Sequence, residues 1–410
     1  MVNMEKLEMK RIYDTLVRYH LKNYRQMIFL AGPRQVGKTT VGKNLKSCAE
    51  HFYYFNWDNQ DDREKIILGP KKIANETQLA MIKTVKTLIV FDEIHKYGKW
   101  KQFLKGFFDV YGDRCQVVVT GSAKLNIYKA GGDSLMGRYF LYRIHPLSIG
   151  ELIRSKPSEI EIQPPKKISQ KLFDELLKYG GFPEPFLKKN SRFSVNWNRL
   201  RKDQLIREDI RELSQVQEIA QLDLLAILLQ EQCCQLMNYN NLANMINVSA
   251  PTIKRWLKCL ESFYYCFSIQ PWAKNVKRAL RKEPKYYLWD WSLIKNEGAR
   301  KENFIASHLL KAVHMWTDCG FGDYGLYFLR DKEKREVDFL ITKDRQPFFL
   351  VEVKSANHSG ISKALHHFQK QIKAKHAFQI VFDEKYVEKD CFTYQEPVIV
   401  PASTFLSQLV

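Results

Sequence analysis

Phe29-Leu30-Ala31-Gly32-Pro33-Arg34-Gln35-Val36-Gly37-Lys38-Thr39-Thr40 sets a Gly-x-x-x-x-Gly-Lys-Thr loop directly behind an apolar run. Gly32 and Gly37 let the backbone curl until its N–H groups face a phosphate, and the helix that follows points its positive dipole end at the same spot. In such a loop Lys38 reaches the β- and γ-phosphates and the Thr39 hydroxyl holds Mg²⁺. The expected nucleotide cradle is therefore Gly32, Pro33, Arg34, Gln35, Val36, Gly37, Lys38, Thr39 and Thr40, with ATP and Mg²⁺ as cofactors.

The motif needs a strand before it, a helix after it and an acidic strand downstream. Residues 26–31 read as a buried strand, and Val41, Leu45 and Cys48 repeat at near-helical spacing over 39–48. Residues 88–93, Leu-Ile-Val-Phe-Asp-Glu, form an apolar run ending in two carboxylates, as in a parallel strand whose carboxyl end meets a ligand. Asp92 is the expected Mg²⁺ partner. Glu93 is the expected base for the attacking water, a task that an unshifted carboxylate performs at neutral pH. A further strand over 116–120 runs into Gly121-Ser122-Ala123, making Ser122 the candidate γ-phosphate sensor and Thr120 the second choice. Gly137-Arg138 opens a strand-like segment that runs to Ile144. Arg138 either neutralises transition-state charge, within the chain or across a subunit boundary, or is a surface arginine.

The chain of 410 residues has room for about two or three domains. Its 65 Lys+Arg against 45 Asp+Glu leave a formal charge of +20, which favours a polyanionic partner. Nucleic acid ranks before a membrane, because no stretch approaches transmembrane length. The polar N-terminus lacks the apolar centre of a secretory signal. Eight scattered cysteines, with Cys233-Cys234 the sole close pair and no Cys-x-x-Cys, fit reduced thiols in the cytoplasm rather than a zinc site.

Alternating strand and helix patterns over 26–151, including a strand at 51–57, predict an α/β sheet of doubly wound or P-loop topology. Residues 155–169, with three prolines, read as a connection. Residues 170–217 read as a basic helical lid broken by a turn at 179–185. Arg207, near Asp209, is either a nucleotide sensor or half of an ion pair. Two short amphipathic helices then meet within 241–257, with Ser249 suited to cap the second and Pro251 in its first turn, a helix-turn-helix pattern. Thr252, Lys254, Arg255 and Lys258 suit phosphates or base edges, and Lys274, Lys277, Arg278, Arg281 and Lys282, with Trp272, extend the basic character.

The C-terminal segment carries a second constellation. Strands are expected at 326–330, 336–341 and 348–353, after a helix at 299–313. Period-two alternation puts Glu352 and Lys354 on one face, and antiparallel pairing brings Asp338 beside them. Two carboxylates and a lysine are the minimum for metal-assisted phosphodiester hydrolysis, with Glu302 available as a third carboxylate.

In this order the chain resembles a widespread bacterial and archaeal family of AAA-plus-like ATPases ending in a domain of unknown function with the PD-(D/E)xK restriction-endonuclease fold. The supporting stretches are the phosphate loop, Phe91-Asp92-Glu93-Ile94-His95, Thr120-Gly121-Ser122, Gly137-Arg138, His145-Pro146-Leu147-Ser148, Gly180-Gly181-Phe182-Pro183, Glu302-Asn303, Val337-Asp338-Phe339 and Glu352-Val353-Lys354. The resemblance implies an α/β chain in four parts. These are a P-loop ATPase core over 1–154, a helical connector over 155–217, a winged helix-turn-helix over 218–284 and a nuclease-like domain over 285–410. It also implies a metal site at Glu302, Asp338 and Glu352 with Lys354, taking a second Mg²⁺ or Mn²⁺, and a role in defence against mobile DNA. The expected protein is a cytoplasmic ATPase engaging DNA rather than RNA, able to form homo-oligomers. Its rival is an ATP-driven assembly switch whose C-terminal domains only bind protein or nucleic acid.

Overall fold

The computed structural model describes residues 9–79, 81, 87–122, 135–211, 216, 218–273, 283–356 and 360–410. Ala123 and the basic residues Lys274, Lys277, Arg278, Arg281 and Lys282 lie outside them. The chain divides into two compact units, one of Met1–Ile144 with Arg154–Glu159, the other of His145–Ile153 with Ile160–Val410. From Ile160 on, the three parts expected after residue 155 thus fall in one unit, while residues 155–159 belong to the first. No helix among the described residues is long and apolar enough to cross a membrane.

The first unit is built on a parallel sheet of β1 (Met27–Ala31), β2 (His51–Asn56), β3 (Thr87–Asp92), β4 (Gln116–Gly121) and β5 (Tyr139–Arg143). Their spatial order is β2-β3-β4-β1-β5. Every residue of β1 and β3 is buried, the pattern of parallel strands covered on both faces. Phe103 and Phe107, one turn apart on the helix Trp100–Tyr111, meet the Phe91 ring edge-on at 5.5 and 5.7 Å, and Phe55 stacks on it at 5.8 Å. Burying a side chain such as Phe91 contributes about 2–3 kcal/mol. Because β4 lies between β1 and β3, three strand ends open side by side: the phosphate loop after β1, Thr120 to Ser122 at the end of β4, and Asp92 closing β3. The predicted helix over 39–48 is an α-helix, Lys38–Asn44, that tightens into a 3₁₀ turn, Leu45–Cys48.

The second unit holds a seven-stranded sheet ordered β12-β11-β10-β9-β8-β6-β7. The strands are β6 (Cys266–Pro271), β7 (Lys285–Leu288), β8 (Tyr324–Arg330), β9 (Glu336–Lys343), β10 (Gln346–Lys354), β11 (His376–Val381) and β12 (Val398–Pro401). A 22-residue helix, Glu297–Asp318, precedes the antiparallel β8-β9-β10 meander. The helix Lys363–Ile372 then carries the chain to β11, which pairs parallel to β10. β6 joins this sheet beside β8 through Gln270 and Pro271, so the expected middle segment shares a sheet with the C-terminal one.

Before β6, the helices Tyr239–Ile246 and Ala250–Ser262 meet at Asn247, whose φ of 60° turns the chain. The Ser249 side chain accepts a hydrogen bond from Thr252 N and caps the second helix. That helix buries Ile253, Trp256, Leu257 and Leu260 and exposes Lys254, Arg255 and Lys258. His145-Pro146-Leu147-Ser148 belongs to the second unit. Ile149 N donates to His308 Nε2 at 3.0 Å, Ser148 Oγ donates to Val410 O at 2.6 Å, and Glu151 forms a buried ion pair with Lys311 at 2.5 Å. Arg207 is exposed and pairs with Asp203 at 3.9 Å, one helical turn back, not with Asp209.

Candidate functional site

The phosphate loop owes its shape to local backbone geometry. Gly37 sits at φ +103°, a conformation glycine adopts without cost, and the helix begins at the next residue. Gly32 is packed so closely on the end of β5 that a Cβ there would lie 2.3 Å from Ile144 O. Lys38 is buried, and its ammonium donates to Gly32 O at 3.0 Å and Pro33 O at 2.7 Å, resting on the loop's own carbonyls. Arg34 and Gly37 are half-buried, while Gln35 and Thr40 face solvent. Arg11, from the start of the first helix, donates from Nη1 to Val36 O at 2.6 Å and braces the loop from outside. Nothing in the sequence marks it, since arginine has no special place at a helix start.

Thr39 Oγ1 donates to Asp92 Oδ2 at 3.0 Å, so the hydroxyl after the loop lysine meets the carboxylate closing β3. Tyr54 and Thr120 also donate hydroxyl hydrogen bonds to Asp92. Three rotatable O–H donors satisfy the carboxylate, and each can turn away when a cation arrives. Thr39 and Asp92 together are an oxygen pair suited to Mg²⁺, which keeps its other positions for water and phosphate oxygens.

Glu93 follows with φ at 55°, a left-handed conformation uncommon for a non-glycine residue and typical of strained functional positions. Its Oε2 is buried without a hydrogen bond, 3.6 Å from His95 Nε2, and that nitrogen lies 3.4 Å from Ser122 Oγ. Burial raises the Glu93 carboxyl above its ordinary range, with Lys38 pulling it down and Asp92 pushing it up. Glu93 is therefore not the unshifted carboxylate expected from sequence.

Arg138 stands apart from these groups. β5 pairs parallel with β1, and Arg138 precedes it, its carbonyl accepting from Met27 N at 2.9 Å. It thus sits at the N-terminal edge of the sheet, one five-residue strand from the phosphate loop, which is about 16 Å at the usual strand rise. Its guanidinium grips Asp109 at 2.6 and 3.1 Å. This placement and the Asp109 pairing hold it away from the phosphate loop of its own chain.

In the second unit the pairing of β9 with β10 runs to Phe339–Val351, and one step farther Asp338 meets the end of β10. Asp338 Oδ2 accepts from Val353 N at 2.8 Å, and Lys354 Nζ lies 2.7 Å from Glu352 Oε1. Glu352 is 6% exposed, and its Oε2 has no hydrogen bond. The expected trio therefore converges. Among the carboxylates, however, stands Lys285, which sequence reasoning missed. Its ammonium lies 2.6 Å from Glu336 Oε1, 3.5 Å from Glu302 Oε1 and 3.9 Å from Asp338 Oδ1. Tyr287 OH donates to Glu302 Oε1 at 2.9 Å.

The charges shift one another. Burial pushes Glu302 up against the pull of Lys285. Asp338 is pushed up by burial and by Glu302, again against Lys285. Burial alone would also raise Glu336, but Lys285 and Arg330 hold it low. Lys285 itself is raised, the carboxylates outweighing its desolvation. One signal was available along the chain, a lysine opening the apolar run Lys285-Tyr286-Tyr287-Leu288-Trp289.

Among the described residues no three His, Cys, Asp or Glu side chains are grouped to hold a metal. Of the expected metal set, Glu302 and Asp338 lie at Lys285 and Glu352 at Lys354. Glu302 and Asp338 face a buried ammonium, and as arranged the donors do not fit a resident divalent ion.

Family models match three stretches of the chain: an AAA domain over residues 24–153, a domain of unknown function (DUF8612) over 170–299, and a domain of unknown function (DUF4143) over 297–401. An uncharacterized protein of Mycobacterium tuberculosis is 22% identical over 358 residues, covering 83% of this chain and 72% of its own length. An uncharacterized protein of Methanocaldococcus jannaschii is 24% identical over 368 residues, covering 83% and 78%. Among solved structures, the Walker-type ATPase of Pyrococcus abyssi aligns with a TM-score of 0.39 at 14% identity, over 70% of this chain and 94% of that one. AMPPCP-bound DnaA from Aquifex aeolicus aligns with a TM-score of 0.32 at 17% identity, over 62% and 88%. The first unit thus carries an AAA-like P-loop ATPase domain.

Proposed function

We propose that the protein binds and hydrolyses ATP in its first unit and couples the nucleotide state to engagement of nucleic acid, DNA in the first place, by its second. The observation that carries this reading is the 3.0 Å contact of Thr39 Oγ1 with Asp92 Oδ2 beneath the Gly32–Gly37 turn, with Glu93 next in the chain. Bound Mg²⁺ would supply charge neutralisation between the phosphate oxygens. Lys38 leaves the loop carbonyls for the phosphates, Thr39 and Asp92 hold the ion, and Glu93, steadied by His95, takes the proton of the attacking water. Ser122 reaches the same side through His95 and is suited to report on the γ-phosphate. Arg138, if it serves catalysis, serves a neighbouring subunit, which joins this reading to a homo-oligomer in the cytoplasm.

For the second unit, three helices followed by the β6-β7 pair support a winged helix-turn-helix, with Lys254, Arg255 and Lys258 as its phosphate-facing row. The helix–β8-β9-β10–helix–β11 succession, with Asp338, Glu352 and Lys354 converging, supports a nuclease-like frame of PD-(D/E)xK type. The Lys285 contacts favour the reading in which this frame binds nucleic acid over the one in which it cuts.

Lys38→Ala is expected to abolish hydrolysis with the fold intact, and undiminished turnover would overturn the ATPase assignment. DNA is expected to stimulate the ATPase with a steep salt dependence, and Lys254→Ala with Lys258→Ala should flatten the log K against log salt slope by about 2. Turnover indifferent to DNA would favour the assembly switch.

A further inference from the structure

We infer that Lys285 holds the cation position of the second unit's carboxylate cluster, so that the cluster keeps its shape without a divalent ion and admits one only when this lysine leaves. The inference goes beyond the ATPase reading and does not depend on it.

Lys285 opens β7, is 4% exposed and lays its ammonium 5.6 Å from the centre of the Phe328 ring. From there it meets carboxylates of two other elements, Glu302 of the helix Glu297–Asp318 and Glu336 and Asp338 of β9. Each is also engaged by a second protein donor. Tyr287 OH donates to Glu302, Arg330 Nη1 to Glu336 at 2.5 Å, and Val353 N to Asp338. A metal entering here must compete with groups already in hydrogen-bonding contact.

Charge balance points the same way. Four carboxylates, Glu302, Glu336, Asp338 and Glu352, are met by three cations, Lys285, Arg330 and Lys354. The cluster is therefore within one charge of neutral by its own side chains. A divalent ion added beside Lys285 would leave an excess of positive charge in a buried setting, where unpaired charge is costly. It would also need oxygens drawn in to about 2.0–2.1 Å for Mg²⁺, the same oxygens that now face the ammonium. Replacing Lys285 by a neutral side chain of similar length leaves four carboxylates against two cations, the imbalance a divalent ion corrects.

The test uses the full chain without nucleotide, titrated with Mn²⁺ by calorimetry and by thermal unfolding. The unmutated protein and Asp338→Asn should bind Mn²⁺ alike and show the same small shift in Tm. Lys285→Met should unfold at lower temperature without metal, gain one Mn²⁺ per chain about tenfold or more tighter than any site in the unmutated protein, recover stability with it, and lose both effects when Asp338→Asn is added. Lys285→Arg should behave as the unmutated chain does. An Asp338-dependent Mn²⁺ site in the unmutated protein, unchanged in Lys285→Met, would overturn the inference, as would Mn²⁺-dependent nicking of plasmid that Asp338→Asn removes. Should Lys285→Met fail to fold, the unmutated protein against Asp338→Asn decides alone: equal Mn²⁺ binding supports the inference and unequal binding overturns it. ATPase turnover measured on the same proteins reads the first unit separately.

Discussion

Replacing Gly32 by alanine tests how the phosphate loop is held against the sheet. The added Cβ would lie 2.3 Å from Ile144 O and 3.2 Å from its carbonyl carbon, whereas carbon and oxygen approach comfortably at about 3.3–3.6 Å. About 1 Å of movement is needed, and neither side can give it cheaply. Ile144 is fully buried and its N–H donates to Ala31 O at 2.7 Å, so retreat would tear the end of β5 from β1. Overpacking of this kind costs about 1–3 kcal/mol. Gly42, in the helix after the loop, is the control. A Cβ there meets Val90 Cγ1 at 3.4 Å and Thr120 Cγ2 at 3.6 Å, ordinary contacts, and the helix gains about 1 kcal/mol from losing a glycine. The same substitution ten residues apart should thus differ by roughly 2–4 kcal/mol. Urea unfolding with midpoint and slope, alongside binding of a fluorescent ATP analogue, reads both effects. Gly32→Ala should unfold early and bind nucleotide weakly, while Gly42→Ala should equal or exceed the unmutated protein in stability. A Gly32→Ala protein that matches the unmutated one in both measurements would refute the argument.

Glu93 must lose its proton to act as base, and burial raises its pKa. The acid limb of kcat against pH should therefore fall above the ordinary carboxylate range, and Glu93→Gln should slow turnover by roughly 10²–10⁴ and erase that limb; a limb that survives in the variant removes Glu93 from the role. In the second unit Lys311→Met removes the buried ammonium paired with Glu151, which is 5% exposed, and should cost about 3–5 kcal/mol in urea unfolding, with most of it regained when Glu151→Leu is added. A loss under about 1 kcal/mol for the single variant would mean that the pair is not the anchor its burial suggests.

What could be read from the chain, and what could not, follows how far apart in sequence the cooperating groups lie. The phosphate loop was legible because its chemistry fixes glycine, lysine and threonine within eight positions. Asp92 was legible because a buried parallel strand announces its own carboxyl end. Asp338 beside Glu352 was legible too, since a short turn joins β9 to β10 and antiparallel register does the rest. Arg138 stayed open between its own chain and a neighbour because the residue gives no sign of which edge of the sheet it occupies, and the parallel pairing of β5 with β1 sets that edge. Glu93 was read as an unshifted carboxylate because its raised pKa comes from burial, a property of the packed unit. Lys285 lay farthest out of reach. Its meeting with Glu336 depends on β7 lying beyond β6 and β6 beside β8, an order of strands that no local pattern encodes. Yet that one long-range contact changes the chemistry: carboxylates that read as metal ligands along the sequence are, in the folded unit, already paired with a cation of the protein's own. A convergence of acids therefore says where to look, and the count of buried charges around it says what the arrangement can hold.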